Sequence, residues 1–129
     1  MKTIIITGAS SGIGLAVAMD LAQKQANLIC IGHDPKRSEL ALEQIRAAAP
    51  DVNARFINAD LMQQREVLRV ATELLNVLTN EFGGKLDALI NNAGCVRSWY
   101  TTTEEGYEQQ FALNHLAGFL LTKQLLPFL

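Results

Sequence analysis

Three glycines, spaced four and two apart in Gly8-Ala9-Ser10-Ser11-Gly12-Ile13-Gly14, are the residues of this chain best suited to hold a ligand. They follow Ile4-Ile5-Ile6-Thr7 and open a stretch of helical pattern. A strand that breaks into a glycine-rich turn and re-forms as a helix offers free backbone N–H groups and a positive dipole end to an anion. The default ligand is therefore a nucleotide pyrophosphate. Gly8 permits the tight turn, Gly12 lets the main chain approach phosphate, and Gly14 lets the helix lie close to the strand. The common fingerprint is G-x-G-x-x-G. Here the order is G-x-x-x-G-x-G, and the longer first gap places the hydroxyls of Ser10 and Ser11 in a wider turn. Glycines would suit any strand-to-helix turn, but a position directly after a buried-looking strand favours phosphate.

Four other places carry chemistry-bearing side chains. Asp60 stands at the end of a strand pattern, Asn91-Asn92-Ala93-Gly94 at the end of another, and Asn114 inside an apolar helical stretch with Phe111, Leu113 and Leu116. A buried amide there is costly unless paired. Cys30 and Cys95 cannot hold a metal alone, so reduced structural thiols in a cytoplasmic protein are expected, with no metal site. A net charge of −2 and no basic run exclude a general nucleic-acid surface. Met1-Lys2 before three isoleucines is too short an apolar run for a signal peptide, and nothing reaches the roughly 18 apolar residues of a membrane span, so no membrane partner is expected.

The elements that must position these residues alternate. Strand patterns cover 3–7, 27–32, 52–58 and 86–91, and helical patterns cover 12 to about 25, 35 to 50, and a long stretch from Asp60 and Gln63 to Gly83-Gly84. Asp34-Pro35 suits an N-cap and first helical position. Thr102 with Glu105 has the spacing of a capping box for a short helical turn, and 107 to about 126 reads as one long helix buried on every side. Hydrophobic residues make up 49% but aromatics only 6%, the balance of branched strands covered by helices. The expected fold is α/β, a Rossmann-type doubly wound parallel sheet of order 3-2-1-4 in one domain over 1–129, incomplete after a fifth helix.

The set Thr7-Gly8-Ala9-Ser10-Ser11-Gly12-Ile13-Gly14, Asp60, Asn91-Asn92-Ala93-Gly94 and Asn114 resembles the successive landmarks of the classical short-chain dehydrogenase/reductase family over the whole chain. The resemblance implies that Thr7 through Gly14, including Ser10, Ser11 and Ile13, hold the pyrophosphate. It also implies that Asp60, with Leu61 beside it, meets the adenine. Asn91, Asn92, Ala93 and Gly94 would brace the sheet and line the cofactor, and Asn114 would bridge a proton-relay water as the catalytic residue of this portion. Asp60 would equally serve as a plain helix cap, and Asn114 as a satisfied core amide. The last helix resembles that of retinol-dehydrogenase-like members, which implies a hydrophobic carbonyl or alcohol substrate and a homo-oligomer.

One departure limits that reading. The family's tyrosine followed four residues later by lysine is absent: Tyr100 is followed by Glu104 and Tyr107 by Phe111. Without a nearby cation a phenol near pKa ~10 is no acid/base at neutral pH. The chain is thus expected to be the cofactor-binding portion of an NAD(P)-dependent oxidoreductase, inactive alone. The alternative is a non-catalytic dinucleotide-binding or interaction module. For the cofactor, Asp34 lies 20 residues after Gly14, the distance of a ribose-reading acid. Yet Asp34 before Pro35 is placed to cap its own helix. In the family frame Gly32 takes the acid's place and His33 that of a cation meeting a 2′-phosphate, with Lys36 and Arg37 behind. NADP(H) is favoured over NAD(H).

Overall fold

All five residues of strand β1 (Thr3–Thr7) are buried, as a run of β-branched side chains at the centre of a sheet should be. The computed structural model describes residues 1–129 and divides into two units. One comprises Met1–Asn58 and Leu86–Asn92, the other Ala59–Lys85 and Ala93–Leu129.

In the first unit β1 is followed by α1 (Gly12–Gln23), β2 (Asn27–Gly32), α2 (Pro35–Ala48), β3 (Ala54–Asn58) and, after the second unit's helix, β4 (Ala88–Ile90). The strands form one parallel sheet in the order β3-β2-β1-β4, as expected. Register places Ile4, Leu28, Ala54 and Ala88 in one row and Ile6, Cys30, Phe56 and Ile90 in the next. These rows pack with Ala18 and Ala22 of α1 and Ile45 of α2. Alanines on α1 let the helix approach closely, and each fully buried isoleucine contributes about 1.5–3 kcal/mol. Asp34 caps α2 as read: its carboxylate accepts from Lys36 N at 3.0 Å. The third and fourth strands are shorter than their patterns. At the start of β4 the Asp87 carboxylate turns back to accept from Thr3 N at 2.8 Å.

Cys30 is fully buried in this core, and burial pushes its thiol up to about 12. A raised folded pKa means the thiol stabilises the fold below the unfolded value and loses that contribution as pH rises toward the folded one. Iodoacetamide should therefore leave Cys30 unmodified in the folded chain up to about pH 9, and alkylate it only after unfolding. Peptide mapping that finds Cys30 alkylated under native conditions contradicts this packing.

In the second unit α3 (Gln64–Glu81) buries Val67, Val70, Ala71, Leu74, Val77 and Leu78 and lies against α5 (Ala117–Leu125), whose Ala117, Leu121 and Leu125 are buried. Gly83 and Gly84, both at φ 76°, end α3 with Gly84 N donating to Leu78 O at 2.8 Å. Three expectations are corrected here. Thr102 and Glu105 do not form a capping box. Instead Thr102 and Glu108 form an antiparallel bridge, and Glu108 is the cap, accepting from Gln110 N and Phe111 N. Those two amides hold its carboxyl below the usual range. The last helix is not uniform either: α4 (Gln109–Phe111) passes into a π-helical turn, Ala112–Leu116, before α5 and a closing 3-10 turn, Leu126–Phe128. Nor is it buried all round, since Phe111 and Phe119 are exposed and stack on either side of His115 with ring centroids 5.2 and 6.3 Å away. No helix is long and apolar enough to cross a membrane.

Candidate functional site

The carboxyl ends of the parallel strands in the first unit carry the glycine turn. Gly8 and Gly12 adopt left-handed φ values of 67° and 55°, conformations that glycine reaches at no steric cost. Gly8 N and Ala9 N both donate to Ile31 O, at 2.9 and 3.2 Å, which fixes the turn to β2. Ser11 is the N-cap of α1 yet its side chain makes no capping bond, so the first-turn amides, Ile13 among them, retain the donors that a helix start always leaves over. The last two glycines face opposite constraints. A Cβ on Gly12 would meet nothing within 4 Å, whereas one on Gly14 would overlap Gly8 O and lie 2.5 Å from Asn92 Nδ2.

Asn92 explains that crowding. Its Nδ2 donates to Thr7 O and Gly8 O, each at 3.1 Å, and its backbone N donates to the Thr7 hydroxyl at 3.0 Å. The end of β1, the glycine turn and the end of β4 are thus tied through one amide. Asn91, beside it, is exposed. The end of β2 shows what the pattern alone missed. Ser38 Oγ donates to Asn58 Oδ1 at 2.5 Å, and a Cβ on Gly32 would overlap that Ser38 oxygen and lie 3.3 Å from Ser10 Cβ and 3.4 Å from Asn58 Oδ1. A side chain at position 32 would have to displace the Ser38 hydroxyl from Asn58. Asp34, the other candidate acid, is engaged with Lys36 N and lies 3.9 Å from Arg37 Nε. His33, Lys36 and Arg37 are all exposed.

In the second unit Asp60 is not a helix cap, because that position falls to Gln63. Its carboxylate instead accepts from Met62 N at 3.1 Å, closing a local turn in which Leu61 is buried. Ala93 and Gly94 lead into Cys95, whose main chain is held on both sides by Asn114: Oδ1 accepts from Cys95 N and Nδ2 donates to Cys95 O, each at 2.8 Å. Asn114 is exposed rather than in a helix core, and it sits in the middle of the π-helical turn, a wider turn often found at functional positions. One N–H and one lone pair of its amide stay available to a further partner.

The family model for short chain dehydrogenases matches residues 2–129. Retinol dehydrogenase 13 of Homo sapiens is 40% identical over 127 residues, 97% of this chain and 36% of that protein. A crystal structure of a Mycobacterium Paratuberculosis protein superposes with a TM-score of 0.82 at 34% identity, over 99% of this chain and 42% of that one. A Sphingobium yanoikuyae short-chain dehydrogenase in complex with NADPH superposes with a TM-score of 0.80 at 29% identity, over 98% and 48%. The chain thus spans less than half the length of each of these proteins.

Proposed function

The chain belongs to the short-chain dehydrogenase family, and from that membership we propose that it is the dinucleotide-binding portion, a single domain over residues 1–129, of an NADP(H)-dependent oxidoreductase. The observation that carries the reading is the Gly12–Gly14 contrast. Space stands open where phosphate would approach, backbone is packed tight behind it, and an uncapped helix start would face the phosphate. Thr7, Gly8, Ser10, Ser11, Gly12, Ile13 and Gly14 would hold the pyrophosphate. Asp60 and Leu61 would meet the adenine, and Asn91, Asn92, Ala93 and Gly94 would line the nicotinamide side. When bound, the cofactor supplies hydride exchange with a carbonyl or alcohol. Asn114 holds the Cys95 main chain and, through its remaining N–H and lone pair, would hold a water on the proton path. No tyrosine here is followed by lysine at the fourth place, so this chain alone binds cofactor without turnover. That same observation favours the second reading, a dinucleotide-binding module without chemistry. A hydrophobic substrate class is supported by the relative named retinol dehydrogenase. Self-association is supported by the exposed Phe111, His115 and Phe119 face.

The preference for NADP(H) rests on the crowded position at Gly32, on Asp34 turned to its own helix, and on the exposed His33, Lys36 and Arg37 beside it. One charge-assisted contact to a 2′-phosphate contributes about 1.5–3 kcal/mol. Calorimetric titration of the chain should give NADPH at least roughly tenfold tighter than NADH. Equal or tighter NADH binding would remove the preference, and binding of neither would remove the functional reading.

A further inference from the structure

The second unit contains a fastening between segments 40 residues apart that none of the site assignments uses. Helix α3 starts without a cap of its own, for Gln63 makes no side-chain bond to the helix. The acceptor comes from elsewhere in the chain. Glu105 Oε1 accepts from Gln64 N at 2.5 Å and its Oε2 from Arg65 N at 3.3 Å. Beside it Arg65 Nη2 donates to Glu104 Oε2 at 2.6 Å. A carboxylate on the first amides of a helix is favoured both by the free donors and by the dipole.

The hairpin that carries these two glutamates is held in shape by its own bonds. Thr103 N donates to Tyr107 O at 2.6 Å, Gly106 N to Thr103 O at 2.9 Å and Gln109 N to Thr101 O at 3.0 Å. Thr103 is buried, and Gly106 adopts a φ of 91° that allows the reversal. On one side of the fastening, Gln64 lies four residues after Asp60. On the other, the hairpin runs through the Glu108 cap into the turn that bears Asn114. The loop before it is tied to the same helix, with Arg97 N donating to Gln110 Oε1 at 3.2 Å.

The geometry points to Glu105 as a positioning residue that couples the adenine-side turn at Asp60–Leu61 to the Cys95–Asn114 segment. It touches no reacting atom. By closing the start of α3 it holds the Asp60 turn and the Asn114 helix in one arrangement, so that binding at the first is felt at the second. The inference rests on the cofactor reading for Asp60, but the fastening itself is measurable without any cofactor.

The test compares the full chain with Glu105→Ala, Glu105→Gln and Glu104→Gln. Amide hydrogen exchange at Gln64 and Arg65 reads the cap, fluorescence anisotropy of Trp99, the single tryptophan, reads the loop, and NADPH titration reads the coupling. Loss of a charge-assisted acceptor should speed exchange at Gln64 and Arg65 about tenfold or more in Glu105→Ala. Trp99 anisotropy should fall, and NADPH should bind several-fold more weakly. Glu105→Gln keeps the shape and one acceptor oxygen and should recover part of each. Glu104→Gln, which breaks only an exposed ion pair, should stay close to the parent. Unchanged exchange in Glu105→Ala overturns the fastening. Faster exchange with unchanged NADPH affinity overturns the coupling. A parent chain that binds no NADPH while exchange and anisotropy respond as expected overturns the cofactor reading and the coupling together, and leaves the fastening standing.

Discussion

Gly14→Ala should destabilise the chain by about 3 kcal/mol or more, because the added methyl has nowhere to go. Its Cβ would overlap Gly8 O, lie 2.8 Å from the Gly8 carbonyl carbon and press on the Asn92 amide. Two of these three neighbours are backbone, which cannot rotate aside, and the third is held by two hydrogen bonds. The cost therefore falls on α1 as a whole, which must move away from β1 and lose contact with the core around Ala18 and Ala22. Gly12→Ala is the matched control. Its methyl would meet open space, and only the left-handed φ of 55° opposes it, a penalty of about 1–2 kcal/mol. Urea unfolding should rank the two accordingly. A Gly14→Ala midpoint equal to or above that of Gly12→Ala contradicts the packing described.

The second large effect is expected at Asn92. Truncation to alanine removes the donor that serves Thr7 O and Gly8 O, and loss of the donor to the half-buried Gly8 carbonyl costs about 1–3 kcal/mol. Asn92→Ala should therefore lower stability by about 2–3 kcal/mol. Asn92→Asp should be no better, although it is nearly isosteric: an ionised carboxylate only accepts, and would face two carbonyl oxygens. Denaturant midpoints check this, and an aspartate variant as stable as the parent would show that the amide bonds do not hold the turn. The two substitutions should not add, since the Gly14 methyl and the Asn92 amide contend for one space.

These residues show why some of the structure was readable in advance. Continuous apolar runs rich in isoleucine at Ile4-Ile5-Ile6 and Leu28-Ile29-Cys30-Ile31 fit strands covered on both faces, and Asp34-Pro35 announces a helix through its own local chemistry. Parallel pairing with helical crossovers then leaves few strand orders, and β3-β2-β1-β4 is the observed one. The family landmarks likewise led to the short-chain dehydrogenase match. What escaped was tertiary. Thr102 and Glu105 satisfy the spacing of a capping box, but the buried Thr103 and the left-handed Gly106 turn the segment into a hairpin and send Glu105 to a helix 40 residues away. The π-helical turn at Ala112–Leu116 adds one residue to a single turn, too little to disturb an apolar periodicity. The Ser38–Asn58 bond that crowds Gly32 joins two elements 20 residues apart, neither of which signals the other.

The central claim is that the glycine turn cradles the pyrophosphate of NADP(H). Its most direct test is the NADPH titration followed by amide resonances of the labelled chain. The account predicts saturable shifts at Ser11, Gly12, Ile13 and Gly14, at Asp60 and Leu61, and at Asn91 through Gly94, with His33 responding to NADPH more than to NADH. Shifts confined to other residues, or none at saturating NADPH, would contradict it.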